Sequence, residues 1–282
     1  MFDQSRRDFL KLAGLTTAAS ALSFSETLAI EEPGYAQRIS IPFDLGVASY
    51  TFRAFTLDQA IDMTRRLGIK KLTLKDMHLP LTSTDHQIKA ALGKMGAGGV
   101  ELSSCGVVYM KTEDEVHKAF AYAKAAGIKM MVGVPDQTLL RLAERKVKET
   151  DIALAVHNHG PTDQRFPSPE SAYKLISSMD RRMGLCIDVG HTQRLGLDPA
   201  VEVERFFDRL LDIHVKDVSS ADANGSTVEI GRGVIDIPRL LKTLVKLKYS
   251  KAIHFEHEKD EKDPLPGLAE SVGYVRGVLV ML

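Results

Sequence analysis

Met183-Gly184-Leu185-Cys186-Ile187-Asp188-Val189-Gly190-His191 and, 28 residues further on, Leu211-Asp212-Ile213-His214-Val215-Lys216-Asp217-Val218 decide the fold. Each stretch is a short aliphatic, β-branched run that ends in ionisable groups. A run of that length bounded by polar residues suits a strand buried on both faces, the kind a parallel sheet uses. Working outward, similar runs start at 45, 71, 100, 129, 152 and 252, giving candidate strands 45–52, 71–75, 100–108, 129–134, 152–159, 183–189, 211–218 and 252–257. Their starts are spaced by 26, 29, 29, 23, 31, 28 and 41 residues, with helical patterns between them. Such alternation is the signature of βαβ units. Eight strands at a near-constant step favour a closed (β/α)8 barrel of the α/β class over a doubly wound sheet, and no Gly-x-Gly-x-x-Gly follows the first strand.

Capping chemistry marks the helices between the strands. Thr56–Gln59 and Thr112–Glu115 read as capping boxes, with a hydroxyl at the N-cap and a returning side chain three residues later. Ser168-Pro169 and Asp198-Pro199 put an N-cap before a proline at the first helical position. Gly68 and Gly127 fit left-handed C-caps. Leu268, Val272, Val275 and Leu279 form an apolar stripe at helical spacing on the last helix. The long seventh step contains a polar, Gly-containing loop, residues 219–233, with the length and composition of a lid.

Composition narrows the function classes. The 282 residues carry 37 Lys+Arg against 37 Asp+Glu, so the chain lacks the basic surplus of a nucleic-acid binder. Hydrophobic residues at 44% and charged residues at 26% fit a globular domain and argue against bulk disorder. Two cysteines, Cys105 and Cys186, cannot build a disulfide scaffold, and neither lies in a CxxC zinc pattern.

Residues 5–11 read Ser-Arg-Arg-Asp-Phe-Leu-Lys and precede a mildly apolar run, residues 12–24, that is too short and too polar to span a bilayer. This leader resembles a twin-arginine export signal at every defined position. The resemblance implies export in the folded state through the twin-arginine translocase to the periplasm, with a leader over residues 1–36 and candidate cleavage points at Ala29 and Ala36. The remainder, 37–282, is close to the roughly 250 residues of a typical barrel.

Chemistry in such a barrel belongs at the C-terminal ends of the strands. There the sequence places Lys75 and His78, His157 and His159, Asp188 and His191, His214, Lys216 and Asp217, and then His254, Glu256, His257 and Glu258. Seven of the nine histidines fall at these ends; only His86 and His117 lie in helical stretches, so one shared site explains them better than scatter. Period-2 alternation puts His214 on the same face as Asp212 and Lys216, Asp188 with Cys186, Glu256 with His254, and His157 with His159. His157, Asp188, His214 and Glu256 can therefore converge as a mixed N/O set suited to Mn2+, Co2+, Fe2+ or Zn2+, with Mg2+ also admissible. The same residues have structural uses: Asp188 can cap the following turn, and Glu256 can pair with Lys216. Lys75 and His78 can reach a substrate hydroxyl, Tyr50 can offer a sugar an aromatic face, and Arg232 can clamp substrate or hold the loop. His254, His257, Glu258 and Asp217 are substrate contacts or supports behind the ligands.

Asp188-x-x-His191, His214-x-Lys216-Asp217 and Glu256 resemble the motifs of the xylose-isomerase-like TIM barrel superfamily, the sugar phosphate isomerase/epimerase group, over essentially residues 45–282. The resemblance implies that Asp188, His214 and Glu256 bind a divalent metal and that His191 touches substrate. One departure stands out. Where many members carry Glu-Asn-His on the fifth strand, this chain reads His157-Asn158-His159. Imidazole preserves a coordination bond, but a mechanism with two carboxylate bases is put in question. Lys216, one inward step from His214 and so about 6–7 Å along the strand, is a substitute base if burial and a dication lower its pKa.

The expected chemistry is proton abstraction α to a carbonyl of an unphosphorylated sugar or keto-sugar, passing through a metal-bound enediolate. Glu256 or Lys216 is the base, His159 or His191 orients hydroxyls or returns the proton, and Lys75, His78, Arg232 and His254 bind substrate. Return of the proton makes an isomerase or epimerase. Loss of a β substituent makes a lyase or hydratase on keto-glycosides. A non-catalytic sugar-binding barrel and a multinuclear phosphodiesterase are further classes, the last disfavoured by the charge balance. A small sugar or glycoside is the expected partner; nucleic acid is not, and a homo-oligomer is compatible with the sequence.

Overall fold

Eight parallel strands close into a barrel in the computed structural model, which describes residues 41–282. They are β1 (Asp44–Ala48), β2 (Lys71–Leu74), β3 (Glu101–Met110), β4 (Met130–Pro135), β5 (Ala153–His157), β6 (Met183–Asp188), β7 (Leu210–Val215) and, after a small hairpin, β10 (Ala252–Phe255). The hairpin pairs β8 (Asp217–Val218) with β9 (Thr227–Val228). Around the barrel the order is β1-β10-β7-β6-β5-β4-β3-β2, so β5, β6, β7 and β10 are consecutive neighbours. The expected leader and its boundary at residue 36 lie outside the described residues. Among the described residues, no helix is long and apolar enough to cross a membrane.

The helices start where the capping chemistry predicts. Thr56 and Thr112 form reciprocal capping boxes with Gln59 and Glu115, Ser168 does so with Ser171, and Asp198 accepts from the amides of Ala200 and Val201. Each such cap stabilises by about 1 kcal/mol. Leu268, Val272, Val275 and Leu279 are all buried in the final helix, Leu265–Val280, which packs as the stripe requires.

Several boundaries differ from the sequence reading, and three of them shape the barrel mouth. The first strand stops at Ala48, and Ser49–Phe52 turns into a 3-10 segment. Ser49 Oγ accepts from the Lys75 amide at 2.9 Å and meets His78 Nδ1 at 3.0 Å, tying this turn to the end of β2. The fifth strand stops at His157. The seventh begins at Leu210 and breaks at Lys216, where Asp217 leaves the barrel for the hairpin. Asp217 is fully buried, and its carboxylate accepts from the amides of Gly231 (3.0 Å), Gly233 (3.0 Å) and Ile235 (3.1 Å). The expected lid is therefore a pinned wall, and Asp217 supports it instead of meeting substrate.

Register explains how residues from four strands reach one height. His157 lies level with Cys186, Asp188 with His214, and His214 with His254. Strands in such a barrel tilt, with a shear of about one residue per strand. Holding one height from β5 to β10 thus means stepping two residues up at β6 and again at β10, which selects His157, Asp188, His214 and Glu256.

Candidate active site

These four residues meet at the barrel mouth, with one donor atom from each all within 4.8 Å of one another. His157 Nε2 is 3.2 Å from His214 Nδ1 and 3.6 Å from Asp188 Oδ2, and His214 Nδ1 is 3.2 Å from Glu256 Oε2. Bonds of about 2.0–2.1 Å to a tetrahedral ion put donors roughly 3.4 Å apart, so the spacing suits one ion. Asp188 is held from behind. Asp188 Oδ1 accepts from the His191 amide at 2.8 Å and caps the short helix Val189–Gln193, leaving Oδ2 for the cluster. Asn158 Oδ1 accepts from the Asp188 amide at 3.0 Å, while Asn158 Nδ2 donates to Thr192 Oγ1 at 3.2 Å. Asp188 thus caps the turn with one oxygen while the other faces the cluster.

Charge makes the second part of the fit. Lys216 is buried between three carboxylates: its Nζ is 3.0 Å from Asp188 Oδ2, 2.8 Å from Glu256 Oε2 and in contact with Glu258 Oε1. One ammonium against three carboxylates leaves a negative surplus that a dication would balance. Asp188 Oδ2 accepts no well-aligned hydrogen bond even so. Burial pushes the His157 and His159 imidazoles down to about 4, so both are neutral at pH 7, the form that ligates metal. Burial opposes charge on Asp188 and Glu256 too, but Lys216 outweighs it and holds both below the usual carboxylate range. For His214 burial is likewise outweighed, by Glu256, and its pKa rises. The donor set and the charge surplus both fit a divalent ion. Cys186, one inward step beneath Asp188, offers its sulfur to a smaller set with His157 and His214.

The sequence reading expects burial and a dication to lower the pKa of Lys216, and the carboxylates around it act in the opposite direction. Burial alone would lower its pKa, but Asp188, Glu256 and Glu258 outweigh burial and push it well above its ordinary value. As an ammonium, Lys216 is the countercharge to these three carboxylates.

Above the cluster opens a cavity of about 390 Å³ lined by Tyr50, Lys75, Tyr109, His159, His191 and Glu256 among others. Lys75 Nζ donates to the Val107 carbonyl at 2.9 Å and lies 5.7 Å and 5.4 Å from the ring centres of Tyr50 and Tyr109. His191 presents a buried Nδ1 with no hydrogen-bond partner among the described residues.

Three predicted substrate contacts lie elsewhere. His78 is engaged by Ser49 Oγ and the Phe52 carbonyl (3.2 Å), because its turn folds back under the β1 end. His254 sits one layer below the cluster, Nδ1 to Asp212 Oδ1 at 2.8 Å and Nε2 to Ser103 Oγ at 2.9 Å. Its ring fits there because position 46 is glycine, where a Cβ would collide with it. Arg232 points outward, 63% exposed, and pairs with Glu270 at 2.5 and 2.7 Å. Conversely, sequence reasoning missed Tyr109, whose hydroxyl meets His159 Nε2 at 2.9 Å with the rings stacked. β3 runs two residues past its expected end at Val108; an aromatic residue at that strand end was the available signal.

Comparison with known proteins follows the geometry. A twin-arginine translocation signal profile matches residues 3–23. A rhizopine catabolism protein, MocC of Rhizobium meliloti, is 30% identical over 151 residues, which is 48% of this chain and 46% of that protein; the chain thus spans about half the length of this curated relative. An L-ribulose 3-epimerase superposes with a TM-score of 0.68 at 12% identity, covering 84% of this chain and 94% of that one. A xylose isomerase-like barrel from Mycobacterium smegmatis, solved in complex with magnesium, gives 0.65 at 16% identity, covering 84% and 97%. These two likenesses show the fold. The profile of the xylose isomerase-like TIM barrel family matches residues 51–278, most of the chain, and with the closed eight-stranded barrel it shows that the chain belongs to that family.

Proposed function

We propose that the protein is a divalent-metal-dependent sugar isomerase or epimerase, exported by the twin-arginine pathway and working in the periplasm on an unphosphorylated sugar or keto-sugar. The observation that carries this reading is the convergence of four donors from four adjacent strands within 4.8 Å. His157, Asp188, His214 and Glu256 would hold the ion. When bound, it supplies Lewis-acid polarisation of a substrate carbonyl and charge stabilisation as the α proton leaves. The similarity to an L-ribulose 3-epimerase agrees with the reading at the level of fold.

The chain's own groups divide the remaining work. Glu256 is the base: its contacts with Lys216 and His214 both run through Oε2, and Oε1 is left to the cavity it lines. Lys216 keeps Glu256 and Asp188 ionised and fixed. Neutral His159, oriented by the Tyr109 hydroxyl, and neutral His191 accept from or donate to substrate hydroxyls, and the proton that Glu256 takes up is the one it gives back. Tyr50 and Tyr109 bound the cavity with aromatic faces, and Lys75 between them reaches a substrate oxygen.

A second reading, elimination of a β substituent from a keto-glycoside, shares the first step. It is favoured by one observation: His157 stands where a second carboxylate base would, leaving a single ligating glutamate to remove a proton. Incubation with ketoses, keto-glycosides and Mn2+ in D2O tests both. Deuterium in recovered sugar supports isomerisation or epimerisation, and a released aglycone supports elimination. Metal-loaded protein that yields neither with any of these substrates contradicts both.

A further inference from the structure

Beside the cavity already described lies a second one of about 560 Å³, lined by Arg194, Lys216, Ser226, Thr227 and Lys259 among others. His191 and Glu258 line both, so they form the shared wall of two joined chambers. Together the chambers reach the upper part of the range that holds drug-sized ligands, well beyond a single sugar ring. The far wall is the hairpin that Asp217 pins, so the chamber is built by secondary structure.

The two chambers differ in charge. The carboxylate of Glu258 in the second is consumed by Lys216, and Lys259 is paired with Glu229 at 2.8 Å. Arg194 has no carboxylate within ion-pair distance among the described residues; Nη2 donates to the Ala223 carbonyl at 2.9 Å, and Nε is buried without a partner. A guanidinium tethered at one nitrogen and uncompensated, lining one cavity with Ser226 and Thr227, is a recognition group for an anion.

We infer that the substrate has two parts, a sugar ring in the aromatic chamber and an anionic group, a carboxylate on an unphosphorylated substrate, held by Arg194 in the chamber behind His191 and Glu258. The inference rests on the reading of the mouth as a sugar-processing centre, and it narrows the substrate to an acidic sugar or a glycoside with an acidic second part.

The full-length protein titrated by calorimetry with D-glucose, D-glucuronate and D-glucose 6-phosphate provides the test, with the Arg194 Nε–H resonance followed by NMR. D-Glucuronate should bind about tenfold more tightly than D-glucose, as a charge-assisted hydrogen bond would give, and should move that resonance. Arg194→Gln should abolish the preference while leaving D-glucose binding unchanged, and Arg194→Lys should keep part of it. Asp188→Ala should retain the preference even with its metal lost, which separates this inference from the metal reading. Equal affinity for charged and neutral probes, a preference for D-glucose 6-phosphate alone, a preference that survives Arg194→Gln, or no binding of either anion at millimolar concentration would each overturn it.

Discussion

Two layers of the same barrel use the same residue types to opposite ends. In the lower layer Asp212 of β7 and His254 of β10 face inward, and His254 is satisfied at both ring nitrogens by Asp212 and Ser103. Two residues further along the same strands, His214 and Glu256 face inward with His157 and Asp188. There donors crowd one another at 3.2 to 3.6 Å, and His214 Nε2 has no hydrogen-bond partner among the described residues. In the lower layer the imidazole has a partner at both nitrogens, and of the pair only Asp212 Oδ2 is left without one among the described residues, as suits a structural element. Four crowded donors with surplus negative charge have the composition that a divalent ion would complete. The contrast teaches that partnering, more than residue identity, separates the two.

The strongest way to break the contrast is to cut each layer once. Asp188→Ala should lower turnover by about a hundredfold or more, in line with removal of a metal ligand, and cost the metal-free protein only about 1 kcal/mol with its lost helix cap, because Glu256 and Glu258 still compensate Lys216. Asp212→Ala should do the reverse. Loss of one partner from a buried pair costs about 3–5 kcal/mol, read as a lower denaturation midpoint, while any protein that folds keeps its metal. Similar losses of both properties in both variants would erase the distinction.

A second cut addresses the ammonium between the carboxylates. Lys216→Met should leave Asp188, Glu256 and Glu258 uncompensated, destabilise the metal-free protein, and make its melting temperature more dependent on added Mn2+ than that of the parent. Binding to the folded state alone adds stability as RT ln(1 + [L]/Kd), about 2.7 kcal/mol at a hundredfold excess over Kd. A variant indifferent to Mn2+ would argue that the carboxylates do not share an ion.

Smaller effects sharpen the boundary of the site. Tyr109→Phe removes the hydroxyl on His159 but keeps the ring, and should lower kcat by about three- to tenfold, the worth of one hydrogen bond, with KM nearly unchanged. Arg232→Ala should change stability by no more than about 0.5 kcal/mol, as for an exposed ion pair, and leave KM as it was. A large rise in KM for Arg232→Ala would return that residue to the substrate.

The strands, the caps and the inward face of each strand end were legible because they depend on short-range periodicity, which a sequence carries openly. The convergence of His157, Asp188, His214 and Glu256 followed from that periodicity together with the rule that barrel chemistry gathers at one rim. Height around the barrel was harder. Alternation gives His254 and Glu256 the same face, and only the register between strands puts His254 in the lower layer. The charge state of Lys216 was hidden for a related reason: it depends on Asp188, Glu256 and Glu258 arriving together from β6 and from beyond β10. Arg232 misled because its glutamate partner lies 38 residues away on the final helix, where no local pattern points to it.

Metal content tests the central claim most directly. Elemental analysis of purified protein beside Asp188→Ala, both checked for native secondary structure, should find about one divalent ion per chain in the parent, the occupancy of a single four-donor site, and almost none in the variant. A folded parent that turns over substrate with no metal bound would leave Lys216 as the cation of this centre and contradict the account.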